Sequence, residues 1–238
     1  MSGAALRLLC ANCHSCHHNQ DTPKVEVSAK VVWSARWYAM KGKTYKIKEC
    51  FLSLQGEGVR AGEASVFLRF AGCNLRCTKA THGFSCDTDF QGGSALTLDE
   101  VVRLVADTAR GCQWIVLTGG EPALFLDPEL VGALEAHHKL AIETNGTVPL
   151  CCTLDWTTVA PKRGEKLVLR QADEIKVVLA AGETIPDLGS IRVDHHLLSP
   201  AFEGDTLPAA NLRHCIRLCM ENPRWRLSVQ QHKAWGVR

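Results

Sequence analysis

Ala71-Gly72-Cys73-Asn74-Leu75-Arg76-Cys77 and, nine residues on, Cys86-Asp87-Thr88-Asp89-Phe90 form the stretch on which the reading of this chain turns. Three cysteines fall in one loop-like segment between two apolar runs. Three thiolates can hold three irons of a cubane cluster and leave the fourth open. An open iron can bind and split a cofactor, which a fully ligated electron carrier cannot. The spacing is C-x3-C-x8-C, and no other cysteine lies between Cys77 and Cys86. Buried thiols, or a zinc site with His82 as fourth ligand, are the alternatives.

Working outward, 238 residues suffice for one large α/β domain or two small ones. The hydrophobic share of 46%, the charged share of 22% and the net charge of +2 are those of an ordinary globular chain with no general grip on nucleic acid. No apolar run is long enough to span a bilayer, and residues 1–10 make no convincing secretion signal. The expected compartment is the cytoplasm, where 12 cysteines are ligands, catalytic groups or small hydrophobes rather than disulfides.

The chain changes character near residue 40, so residues 1–43 are expected to be an extension and 44–238 the core domain. Met40 is a candidate true start. Cys10-Ala11-Asn12-Cys13-His14 and Cys13-His14-Ser15-Cys16-His17 match the haem-attachment pattern, but without export that chemistry is not expected. An unstructured leader is the reading adopted.

From there strand and helix patterns alternate. Apolar or alternating runs at 45–54, 64–70, 114–118, 139–144, 154–160, 174–179, 195–198 and 225–229 read as strands. Thr97-Leu98-Asp99-Glu100 is a capping box, and Leu98, Val101, Val102 and Val105 repeat on one helical face, with Gly111 as the stop. Asp127-Pro128 opens a second helix; Leu212, Cys215, Ile216 and Cys219 mark a late one. Continuous apolar strands separated by helices argue for a parallel sheet covered by helices.

Polar or glycine-rich groups follow most of these strands: Gln55-Gly56-Glu57-Gly58, Thr118-Gly119-Gly120-Glu121-Pro122, Glu143-Thr144-Asn145-Gly146, Pro161-Lys162 and Ser199-Pro200. Any one of them is an ordinary turn. As a set they are expected to converge on one mouth at the carboxyl ends of parallel strands. Gly119 and Gly120 would let the backbone approach an amino-acid cofactor, with Glu121 as a local carboxylate.

These residues, in this order, resemble the 7-carboxy-7-deazaguanine synthases, a family of the radical S-adenosylmethionine superfamily. The resemblance runs from about Tyr45 to the last residue and also rests on Leu54-Gln55-Gly56, Ile142-Glu143-Thr144-Asn145-Gly146, Glu174-Ile175-Lys176-Val177-Val178 and His232-Lys233. It implies an α/β fold, a partial TIM-like parallel barrel, usually assembled as a homodimer. The implied reaction is ring contraction of 6-carboxy-5,6,7,8-tetrahydropterin to 7-carboxy-7-deazaguanine with loss of ammonia, toward queuosine and related deazapurines.

The implied cofactors are a 4Fe-4S cluster, S-adenosylmethionine and Mg2+, with an electron donor such as flavodoxin or ferredoxin. The radical comes from cofactor and cluster, so no side chain is assigned as catalytic. By resemblance Cys73, Cys77 and Cys86 ligate the cluster and Thr88 binds magnesium. Ser85, Cys86, Asp87, Gly120, Ala160, Pro161, Lys162, Ser199, Pro200, Ala201 and Phe202 contact S-adenosylmethionine. Leu54, Gln55, Gly56, Arg69, Thr118 and the terminal carboxylate of Arg238 contact substrate, Arg69 suiting a carboxylate through two parallel bonds.

Cys112, Cys151, Cys152, Cys215 and Cys219 read as core or surface thiols. His137-His138 and His195-His196 are expected at element ends, and Trp225 in the core. The competing functions are a glycyl-radical activating enzyme of the same superfamily, disfavoured by Gln55-Gly56-Glu57 and Arg69, and a zinc-stabilised binding module, disfavoured by the glycine-rich strand ends.

Overall fold

The computed structural model describes residues 42–83, 86 and 88–238. Apart from Gly42 and Lys43, the expected extension lies outside the described residues, as do the Cys-x-x-Cys-His patterns and Met40. Among the described residues nine strands form one open sheet in the order β3-β1-β2-β4-β5-β6-β7-β8-β9. They are β1 (Tyr45–Leu54), β2 (Ala64–Phe70), β3 (Ser94–Leu96), β4 (Trp114–Gly119), β5 (Lys139–Thr144), β6 (Trp156–Val159), β7 (Gln171–Leu179), β8 (Arg192–Pro200) and β9 (Trp225–Leu227).

From β2 to β9 every neighbour is parallel, giving the expected partial barrel. The edge differs from the expectation of a wholly parallel sheet. β1 runs antiparallel to both β2 and β3, with Leu54 opposite Ala64. The nine residues between β1 and β2 are too few for a crossover, which needs a dozen or more, so the two strands form a hairpin.

The helices are α1 (Lys79–His82), α2 (Leu98–Ala109), α3 (Pro128–Glu135), α4 (Ala209–Glu221) and α5 (Gln231–Trp235). Thr97 caps α2 as the sequence implies: its hydroxyl accepts from the Glu100 amide at 3.4 Å and Glu100 accepts from the Thr97 amide at 2.8 Å. The helix stops one residue before the expected glycine, with Arg110 in the left-handed region at φ 47° and Gly111 following at φ 84°. Asp127 caps α3 by accepting from the Glu129 and Leu130 amides, both at 2.9 Å.

Alternation along the strands sorts the core into layers. Val66, Leu68, Ile115, Leu117 and Ile142 pack outward under α2 and α3, whereas Phe67, Val116 and Ala141 face the concave side. A second cluster joins Ile175, Val177 and Leu198 to Cys215 and Trp225. Two readings need correction. Ile216 is 39% exposed, because Cys215 rather than its neighbour points at the sheet. His195 and His196 lie inside β8, not at its end; His195 stacks on Trp156 at 5.9 Å and His196 meets Trp225 edge-on at 5.2 Å. Among the described residues no helix is long and apolar enough to cross a membrane.

Leu117 sits without exposure in central β4. Leu117→Ala is expected to cost about 2–5 kcal/mol in denaturant unfolding. Ile216→Ala, on the solvent side of α4, is expected to cost no more than about 0.5 kcal/mol. Equal losses at the two positions would contradict this assignment of the core.

Candidate active site

The strands carry the sequence-predicted residues to one cavity of about 490 Å³ on the concave side. That volume is in the range of small-molecule sites. Cys73, Cys77, Cys86, Thr88, Gly120, Ala160, Lys162 and all of Ser199–Phe202 line it, together with Leu54, Gln55, Gly56, Arg69, Thr118 and Arg238. Pro161 does not line it, and Ser85 and Asp87 lie outside the described residues.

The long interval between Cys77 and Cys86 has a local explanation. Thr78 and Thr81 form a reciprocal cap that starts α1, and Gly83 ends it in the left-handed region at φ 85°. The chain then doubles back, so that the Cys86 amide donates to the Cys77 carbonyl at 3.3 Å. Within that interval Lys79–His82 form one helical turn. His82 is buried, with Nδ1 at 2.6 Å from the Thr81 hydroxyl and Nε2 at 3.7 Å from Glu165.

The three thiols suit an iron–sulfur cube. They share one cavity, and burial pushes Cys73 and Cys77 above the ordinary thiol range, while Lys162 acts in the opposite sense on both. Metal binding overcomes such a rise, because the ligand is the thiolate. The Leu75 amide donates to Cys73 Sγ at 3.4 Å, the kind of contact that tunes a cluster thiolate. A single tetrahedral zinc needs its sulfurs about 2.3 Å from one point. Among the described residues no three His, Cys, Asp or Glu side chains gather closely enough to hold one ion. A cube takes each thiolate on a separate iron, so its ligands face a common volume without converging on a point.

The glycine pair lines the cavity and also meets a packing demand that its sequence does not show. A Cβ on Gly119 would lie 2.2 Å from the Phe70 carbonyl oxygen, and one on Gly120 would lie 2.1 Å from the Gly72 oxygen and 2.8 Å from the Cys73 Cβ. The space a side chain would need is filled by the cysteine loop itself, which is clamped there by the Glu121 amide donating to the Gly72 carbonyl at 2.9 Å. Glu121 likewise is not a cavity carboxylate. Fully buried, it accepts from the Ala123 amide at 3.1 Å, the Thr144 hydroxyl at 2.7 Å and the Asn145 amide at 2.7 Å. Burial outweighs these donors and raises its pKa. Asn145 continues the tie, donating to Asn74 beside Cys73 at 3.0 Å.

The expected convergence of strand ends also needs one correction. β1 is antiparallel, so its end lies at the amino-terminal end of the parallel strands. The loop that follows reaches the cavity from there and forms its floor. Gln55 Nε2 donates to Glu143 at 3.0 Å, the Gly58 amide to the Ser228 hydroxyl at 2.9 Å and the Val59 amide to Glu174 at 2.8 Å. Glu143 also accepts from Thr118 at 3.0 Å. Arg69 Nε donates to Glu49 at 2.8 Å, and Glu49 also pairs with Arg238, whose carbonyl accepts from Ser53 at 2.7 Å.

Sequence reading missed Glu143, Lys176 and His232 as cavity residues, although each lies in a quoted motif. For Glu143 and Lys176 the available signal is ionisable chemistry within largely apolar strands; His232 lies on α5 and carries no such signal. Gly56 abuts the His232 ring so closely that a Cβ would stand 2.1 Å from Nδ1.

Comparison with known proteins places these features. Residues 54–183 match the family model described as a 4Fe-4S single cluster domain. The 7-carboxy-7-deazaguanine synthase of Bradyrhizobium diazoefficiens is 43% identical over 215 residues, covering 82% of this chain and 100% of the relative. The 7-carboxy-7-deazaguanine synthase of Bacteroides thetaiotaomicron is 40% identical over 194 residues, covering 81% and 98%. Among solved structures, the crystal structure of QueE from Escherichia coli superposes with a TM-score of 0.63 at 26% identity, covering 82% of this chain and 98% of that one.

Gly120→Ala is expected to cost about 1–3 kcal/mol by overpacking the loop contact. Because the atoms displaced include the Cys73 Cβ, the variant should also lose most of its iron and sulfide on anaerobic reconstitution. Wild-type iron content in a folded Gly120→Ala protein would show that the contact does not govern the loop.

Proposed function

The chain belongs to the 7-carboxy-7-deazaguanine synthase family, and on that premise we propose how its own residues divide the work of the reaction. It is a radical S-adenosylmethionine enzyme of the lyase type, which contracts the ring of 6-carboxy-5,6,7,8-tetrahydropterin to 7-carboxy-7-deazaguanine in queuosine biosynthesis. When bound, the 4Fe-4S cluster with S-adenosylmethionine supplies the organic radical that this chemistry requires. Among the residues that would hold that pair, Cys73, Cys77 and Cys86 are the cluster ligands. Three thiols facing one cavity, with Lys79–His82 between the second and third folded into a helical turn, is the observation that carries this reading.

In this reading S-adenosylmethionine lies along Gly120, Ala160, Lys162 and Ser199–Phe202, with Ser85, Asp87 and Pro161 assigned by resemblance. The Lys162 ammonium favours an anionic group there. The pterin occupies the space bounded by Leu54, Gln55, Gly56, Arg69 and Thr118. Arg69 commits its Nε to Glu49 and, having five N–H donors, offers others to the substrate carboxylate. Glu49 also holds Arg238, which brings the terminal residue beside that position. Glu143, gripped by Gln55 and Thr118, is an acceptor facing the ring.

Thr88 lines the same cavity and is assigned one Mg2+ position, the rest of the octahedron coming from substrate oxygens and water. Residues 44–238 are assigned as the catalytic domain and 1–43 as an extension. The enzyme is assigned to the cytoplasm on its sequence pattern, and as a homodimer served by a flavodoxin or ferredoxin on the resemblance alone.

Anaerobically reconstituted protein given the tetrahydropterin, S-adenosylmethionine, Mg2+ and a reductant is expected to release the deazapurine acid. Absence of product from a sample with a verified four-iron cluster would count against the assignment. Cys77→Ala is expected to abolish cluster loading; normal iron content in that variant would show that the loop has been misread.

A further inference from the structure

Glu57 after β1, Glu143 on β5 and Lys176 on β7 line the cavity, and Glu174, also on β7, is buried near them. The Lys176 ammonium pairs with Glu57, each side chain being only 12% exposed. Burial alone would push the lysine pKa down. The fields of Glu57, Glu143 and Glu174 overcome burial, so the net shift is upward and the group stays charged. Glu174 is committed elsewhere, accepting from the Val59 amide and the Thr158 hydroxyl, both at 2.8 Å. Lys176 therefore serves Glu57 by contact and Glu143 by its field.

Gln55 also ties the main chain of Glu57 to the Glu143 carboxylate. Its Oε1 accepts from the Glu57 amide at 3.1 Å and its Nε2 donates to Glu143 at 3.0 Å. Lys176 thus closes a ring, touching Glu57 directly and Glu143 through its field. We propose that Lys176 is a positioning residue that, through its ion pair with Glu57, fixes the loop whose Glu57 amide holds Gln55 against Glu143, and thereby keeps Gln55 and Thr118 in the orientation that receives the pterin. This rests on the assignment of Gln55 and Thr118 as substrate contacts. The charged groups on other elements lining the cavity are Arg69, Lys162, Asp205, His232, Lys233 and Arg238.

Without the ammonium, three carboxylates share a buried wall and the cluster takes up a proton. The anionic arrangement is then lost as pH falls and regained as pH rises. In the reconstituted holoenzyme, Lys176→Met is expected to raise KM for the tetrahydropterin about tenfold near pH 6.5, with most of the loss recovered by pH 9, and to change kcat much less. Affinity for added 7-carboxy-7-deazaguanine, read by calorimetry, should follow the same pH course. Glu57→Gln combined with Lys176→Met removes one negative charge with the positive one and should flatten the KM profile again.

A Lys176→Met profile parallel to wild type, or a double variant no better than the single one, would overturn the proposal. If Lys176→Met alone does not fold, Lys176→Arg and the double variant decide. Both balance charge and should show flat profiles, and an acidic limb in either would overturn it. Wild-type enzyme without turnover would refute the assigned function instead; wild-type turnover with a pH-parallel Lys176→Met would refute this inference alone.

Discussion

The site depends on a contact between two stretches of backbone. Gly120, just past the end of β4, lies against Gly72 at the head of the cysteine loop, held by the hydrogen bond from the Glu121 amide. No side chain fits between them. The contact sets where Cys73 stands relative to the sheet, and Glu121, Thr144, Asn145 and Asn74 brace it from the side of β5. A buried carboxylate is costly unless its oxygens are satisfied, and here three donors satisfy them. The conformational constraint on Cys73 thus lies in main chain and buried hydrogen bonds of the protein itself.

Two electrostatic environments share the cavity. Around the cysteines, burial disfavours thiolates and Lys162 favours them, an arrangement resolved by iron. Around Gln55, carboxylates outnumber ammonium groups, and Lys176 is the cation placed among them. The floor loop between β1 and β2 connects the substrate residues to β5, β7 and Ser228 after β9. Because Gly58 adopts φ 75° and a Cβ there would strike the Glu174 carboxylate at 2.3 Å, the loop has little freedom to move away. An antiparallel hairpin at the edge of a parallel sheet thus supplies the floor that an incomplete barrel lacks.

Much of this was legible before any coordinates. The cap at Thr97, the helix opening at Asp127-Pro128 and the central strands follow from local chemistry and periodicity, and they appear where the sequence puts them. β3, α1 and α5 were not read, because three to five residues carry too little periodicity to register. His195 and His196 were misplaced because strand limits are set by pairing with β7, not by composition. Glu121 reads as a group for a ligand but is spent on backbone amides and Thr144, and the packing demand on the glycine pair is invisible locally, since no local rule shows which stretch of chain will lie against a glycine.

Residue types and their order were enough to determine the cluster chemistry, the α/β class and the strand ends that carry polar groups. These are properties of short segments, where spacing and hydrogen-bonding capacity act within a few residues. Tertiary structure alone decided that β1 turns back and delivers Gln55 from the floor, that Glu143 and Lys176 face the same space, and that Glu49 joins Arg69 to Arg238. Each of these depends on which strands become neighbours across scores of intervening residues. That choice is made by burying the two faces of the whole sheet at once, and no segment contains it by itself.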